Sequence, residues 1–104
     1  MAMDWPLEYW VTEGRSSHGG LAVDGSEMGL RIQSIQSLRV GMMLKVAVIF
    51  RRGFELTDFD VLAEIVWKDI CGEEEKYPYQ YGLKFIHIHD LSLQKLKKLL
   101  GVQS

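Results

Sequence analysis

Leu30-Arg31-Ile32-Gln33 alternates apolar with polar residues, the two-residue period of a strand that buries one face. The same period runs through Leu44, Val46, Val48 and Phe50, with Lys45 and Ala47 between them. It runs again through Phe59, Val61, Ala63, Ile65 and Trp67, with Asp60, Leu62 and Glu64 on the opposite face. Leu7 to Thr12 reads as a first strand, with Pro6 just outside it because proline cannot donate to a ladder. Leu21-Ala22-Val23 is a short apolar run that delivers the chain to Asp24, and Tyr79 to Ile88 reads as the last strand. Between these runs lie turn signals: the cluster Gly14 to Gly20, a hairpin turn at Arg51-Arg52-Gly53, and a solvated loop from Cys71 to Pro78. Trp67 and Phe85, on alternating apolar faces of central strands, are expected to be buried.

The period then changes. Leu93, Leu96 and Leu100 recur at i, i+3 and i+7 with Leu99 at the edge of the stripe, which predicts a helix over about Leu91 to Leu100. Asp90 or Ser92 would cap its start, Lys95, Lys97 and Lys98 favour its end through the dipole, and Gly101 would stop it. The pattern as a whole is mainly β: five to seven antiparallel strands followed by one C-terminal helix. Many short strands with turn signals between them suggest a barrel, which leaves no exposed edge. The helix would plug one opening or pack on the outer wall.

At 104 residues the chain is expected to be a single domain over residues 1–104. Its 47% apolar and 25% charged residues are the balance of a folded chain and exclude a disordered one. A net charge of -2 argues against a general DNA or RNA binder, which carries a basic footprint. The lone Cys71 excludes an internal disulfide and suits a reducing compartment, so a cytoplasmic location is expected. No apolar run approaches the roughly 18 residues of a membrane span. Met1 to Trp10 lacks the positive n-region and apolar h-region of a secretory signal.

Isolated chemistry adds little. His87 and His89 share one strand face, but Asp90 is their only near ligand, so they read as strand-end histidines and no metal site is expected. Cys71 has no second cysteine nearby and sits among acidic residues that disfavour a thiolate. Trp5 and Trp10 read as core or edge packing. No Ser/His/Asp order and no glycine-rich phosphate loop stands out, so no enzyme and no cofactor are expected.

Asp24-Gly25-Ser26-Glu27-Met28-Gly29 fits D-x-S-x-x-G. Asp24 offers an acceptor to the donor edge of a guanine, Ser26 a hydroxyl, and Gly29 a close backbone approach. The same residue types also make an ordinary turn into a strand.

With this motif, Leu38-Arg39-Val40-Gly41, Ala63-Glu64-Ile65-Val66-Trp67 and Tyr81-Gly82-Leu83-Lys84-Phe85 follow in order, and together they resemble the PilZ domain, a bacterial module that binds cyclic di-GMP. The resemblance covers about Leu7 to Leu100. It implies a six-stranded antiparallel barrel with one flanking helix, and Asp24, Ser26 and Gly29 as the base-reading side of a ligand site. One departure matters. The family's R-x-x-x-R, whose arginines grip the phosphates, does not occur in this sequence; its place falls at or before Met1. Arg15 and Arg31 are candidate substitutes for phosphate contact, the other reading of each being a solvated side chain. The resemblance therefore implies a module in or near cyclic di-GMP signalling that is degenerate at those arginines and acts through an unidentified protein partner or as a homo-oligomer. The alternative is a working cyclic di-GMP receptor that borrows arginines from elsewhere in the chain or from a partner chain.

Overall fold

Alternation decides the architecture. A computed structural model describes residues 2–12, 14, 16–52, 55–72 and 74–99. They form β1 (Ala2–Val11), β2 (Ser17–Gly25), β3 (Gly29–Ser34), β4 (Met43–Arg52), β5 (Glu55–Ile70), β6 (Tyr79–Ile88) and α1 (Asp90–Leu99). The strands close a barrel in the order β1-β2-β3-β6-β5-β4, every neighbouring pair antiparallel. The apolar sets read from the sequence point inward: Leu7 and Tyr9, Leu30 and Ile32, Leu44, Val46 and Val48, and Phe59, Val61, Ala63 and Ile65 are all buried. Each of the Leu, Ile, Val and Phe side chains among them contributes about 1.5–3 kcal/mol when fully withdrawn from water.

Two tyrosines carry hydroxyls into this core and both are matched. Tyr9 and Ser34 share a hydrogen bond of 2.6 Å. The Tyr81 hydroxyl donates to the Gln36 carbonyl (2.6 Å) and accepts the Leu38 N–H (2.8 Å), pinning the β3–β4 connection to the barrel. Burial pushes both phenols above their ordinary range, partly offset at Tyr9 by the bond to Ser34 and at Tyr81 by the bond from Leu38.

Several boundaries differ from the pattern-based ones. Pro6 lies inside β1, opposite Leu21 of β2. Pairing of β1 with β4 starts only at Leu7 and Val48, so the missing donor of Pro6 falls where β1 has one neighbour. Ser17 to Gly20 belong to β2 rather than to a turn, as do Asp24 and Gly25. Arg51 and Arg52 are ladder residues opposite Leu56 and Glu55, while Gly53 lies outside the described residues.

The two aromatic expectations also change. Between Ile65 and Trp67 the register to β6 slips by one residue, because Ile65 faces Leu83 and Trp67 faces Gly82. This bulge turns Trp67 out of the core, leaving it 41% exposed. Phe85 is half-buried and packs against the core from its margin.

The helix starts at Asp90, one residue before its expected first residue; Leu100 and Gly101 lie outside the described residues. Ser92 does not cap it. Its hydroxyl accepts the Asp60 N–H of β5 (3.1 Å), and the first turn is closed by Leu93 N–H donating to the His89 carbonyl (2.8 Å). Leu96 joins the buried core, and Lys95 donates to the Asp58 carbonyl (2.9 Å), so α1 is fastened to β5 by packing and polar contacts together.

Candidate functional site

The D-x-S-x-x-G residues form the hairpin between β2 and β3. The Ser26 N–H donates to the Gly29 carbonyl (2.9 Å), and the Ser26 hydroxyl accepts the Met28 N–H (3.2 Å). This side-chain bond mimics a backbone turn and holds three exposed residues in a tight reversal. The Met28 carbonyl accepts the Phe85 N–H (2.9 Å), which ties the turn to β6.

A bulge in β2 sets the direction of Asp24. Ala22 pairs with Ile32 but Asp24 pairs with Arg31, so Val23 is an extra residue in the ladder. Strict alternation from buried Ala22 would send Asp24 inward. The inserted residue reverses that and puts its carboxylate outside, opposite Arg31. The Asp24 carboxylate accepts the Gly25 N–H (2.9 Å) and lies 3.7 Å from the Arg31 guanidinium. Both side chains of this ion pair are nearly half exposed, at 44% and 47%, which keeps its contribution to stability at about 0.2–1 kcal/mol.

Two glycines shape the floor. A Cβ on Gly29 would run into the Leu83 carbonyl, so only glycine allows β3 and β6 to approach here. A Cβ on Gly82 would strike the indole of Trp67, which lies directly over it. The result is an open cleft of about 470 Å³ among Asp24, Ser26, Gly29, Arg31, Trp67 and Gly82, built from β2, β3, β5 and β6. A carboxylate, a hydroxyl, a guanidinium and one indole face bound a volume in the range that holds small ligands. The arrangement suits a flat heterocycle with a donor edge.

Of the residues singled out in the sequence, Asp24, Ser26, Gly29 and Arg31 therefore converge, while Arg15 lies outside the described residues. Pattern reading missed Trp67 and Gly82. The signal was present in Gly82, a glycine inside an otherwise alternating strand, which marks close approach of another group. His87 and His89 stack edge to face at 5.2 Å, and among the described residues no three side chains are grouped to hold a metal. A larger cavity of about 600 Å³ lies across the outer face of β1, β4, β5 and β6, over the cross-strand row Trp10, Lys45, Leu62 and His87, and holds no motif residue.

A family model described as the PilZ domain matches residues 7–101. This chain belongs to the PilZ family. No curated protein matches its sequence. Among solved structures, the chain is similar to the Bacillus subtilis inhibitor of motility, MotI/DgrA, with a TM-score of 0.75 at 11% identity, covering 100% of this chain and 51% of that one. It thus spans about half the length of the Bacillus protein. It is also similar to the PilZ domain of YcgR from Escherichia coli, whose structure contains c-di-GMP, with a TM-score of 0.64 at 16% identity, covering 94% of this chain and 79% of that one. At such identities the likeness is one of fold. The barrel has the six strands that the resemblance implied, within the five to seven read from the alternation, and no described helix is long and apolar enough to cross a membrane.

Proposed function

We propose that this PilZ chain is a cytoplasmic, non-enzymatic signalling module in or near cyclic di-GMP pathways, degenerate at the phosphate-gripping arginines and acting through protein contact. The observation that carries this reading is the charge of the cleft. Among the described residues that line it, Arg31 is the one cation, and it faces the Asp24 carboxylate at 3.7 Å. Asp24 and Ser26 offer partners for a guanine edge but no positive charge. Cyclic di-GMP brings two phosphates that lose water on binding, and a charge-assisted hydrogen bond recovers roughly 1.5–3 kcal/mol of that cost. Lacking two arginines removes several powers of ten in affinity. The expected result of calorimetry on the 104-residue chain is no binding tighter than about micromolar.

A specific observation favours the alternative of a working receptor. Trp67 stands exposed at the cleft, where an indole face can stack on a base, and Arg31 is within the same cleft. Sub-micromolar affinity for cyclic di-GMP, lost on Asp24→Ala or Arg31→Ala, would establish that alternative and overturn the protein-contact reading.

A further inference from the structure

The motif turn has two sides. Ser26 and Gly29 face the cleft, whereas Glu27 and Met28 line a separate groove of about 410 Å³ between the turn, β6 and α1. Met28 is 76% exposed, and the Phe85 N–H on its carbonyl pins its backbone at the rim of the groove. Ile86 is the residue that β6 gains where Leu62 pairs with His87 and Ala63 with Phe85; this second irregularity leaves it 47% exposed on the same groove. Leu93 of α1 closes the far wall.

The charges around this apolar floor are unbalanced. Lys84 and Lys97 line it against one carboxylate, Glu27. Among the described residues neither ammonium group has an ion-pair or hydrogen-bond partner, Glu64 facing Lys84 across the β5–β6 ladder without closing a salt bridge, in contrast to Lys95, which is spent on the Asp58 carbonyl. A thioether and a branched aliphatic side chain adapt to many apolar shapes, and unpaired ammonium groups at the rim steer and register an anionic segment.

We propose that this groove is a docking surface for an acidic segment of a partner protein, one that seats a large apolar side chain between Met28, Ile86 and Leu93 and sets carboxylates against Lys84 and Lys97. The inference rests on the protein-contact reading and gives that contact a place and a chemistry. Charge argues against a second copy of this chain as the occupant. A two-fold contact puts each patch on itself, so the four lysines meet with two carboxylates between them.

The test is fluorescence anisotropy with a synthetic fluorescein-labelled peptide carrying a Leu-Phe pair flanked by glutamates, beside a control with lysines in place of the glutamates. The glutamate peptide is expected to bind at least about tenfold more tightly than the control. The double variant Lys84→Glu and Lys97→Glu, and separately Ile86→Ser, are each expected to weaken it by about tenfold or more. Lys45→Glu, which makes a charge change on the other outer cavity, is expected to leave it unaltered. All three proteins should keep the parental melting curve. Absence of binding, equal binding of both peptides, or binding that survives the charge reversal overturns the proposal. So does a concentration-dependent dimer in sedimentation that Ile86→Ser abolishes, or preferential binding to phosphatidylserine vesicles. Cyclic di-GMP calorimetry separates the two claims: sub-micromolar affinity there sinks the protein-contact reading, whereas weak affinity with a silent peptide titration sinks the docking surface alone.

Discussion

Trp67→Ala removes an indole that is 41% exposed and lies over Gly82. The expected loss is about 1–2 kcal/mol by denaturant midpoint, below the roughly 3–5 kcal/mol of a fully buried aromatic. A loss in the higher range would show that the side chain belongs to the core. Gly82→Ala acts on the same pair from below. Its methyl group occupies the space of the indole, so Trp67 must swing away and open the cleft. A red shift in tryptophan emission with the fold retained is the expected signature. These two residues mark the boundary of what the sequence shows. The alternation through Ile65 is written in side-chain types, and every inward residue from Phe59 to Ile65 is legible. The bulge after Ile65 is a property of backbone pairing with β6; no residue type within β5 announces it, and its one hint lies across the ladder in Gly82. Asp24 gives the converse case. Its chemistry was legible, but its outward direction depends on the extra residue Val23 in β2.

At the scale of elements, α1 reads clearly from its period, and its start is displaced by one residue. Its attachment was not legible, because Ser92 is an equally good cap and an equally good bridge. The structure uses it as the bridge to Asp60 of β5. Leu96→Ala, at a position of 0% exposure, is expected to cost about 2–5 kcal/mol, read as a fall in denaturant midpoint. If the helix contributed no core residue, the change would stay below about 0.5 kcal/mol, as surface substitutions do. The β3–β4 connection has its own fastener in Tyr81. Tyr81→Phe strands the Leu38 N–H and the Gln36 carbonyl, and the expected loss is about 1–3 kcal/mol in the same measurement. Amide exchange should accelerate at Leu38.

For the whole molecule, the two buried phenols set an alkaline limit. Tyr9 and Tyr81 are raised above an ordinary value of 10.0 chiefly by burial, so folding favours their neutral forms. That stabilisation is complete below the unfolded value and is lost as pH climbs through the folded one. Melting temperature is therefore expected to hold up to about pH 10 and fall above it. The double variant Tyr9→Phe and Tyr81→Phe, less stable at neutral pH, should lose less on the same climb. An identical alkaline decline in both proteins would remove the tyrosines as its cause.

The strand order also fixes when the cleft can exist. Its walls come from β2, β3, β5 and β6, and β3 gains its second neighbour only from β6, the last strand. A nascent chain that ends after β5 therefore has its motif turn in place over an open edge, with neither Gly82 nor the strand that holds Met28. Closure waits for pairing between segments far apart in sequence, the slow class of contact. Until then β3 and β5 are the two open edges of the sheet, their apolar rows lacking the strand that belongs between them and exposed to neighbouring chains on the same message. Pairing of β6 between β3 and β5 is thus also the step at which this small barrel becomes safe from aggregation.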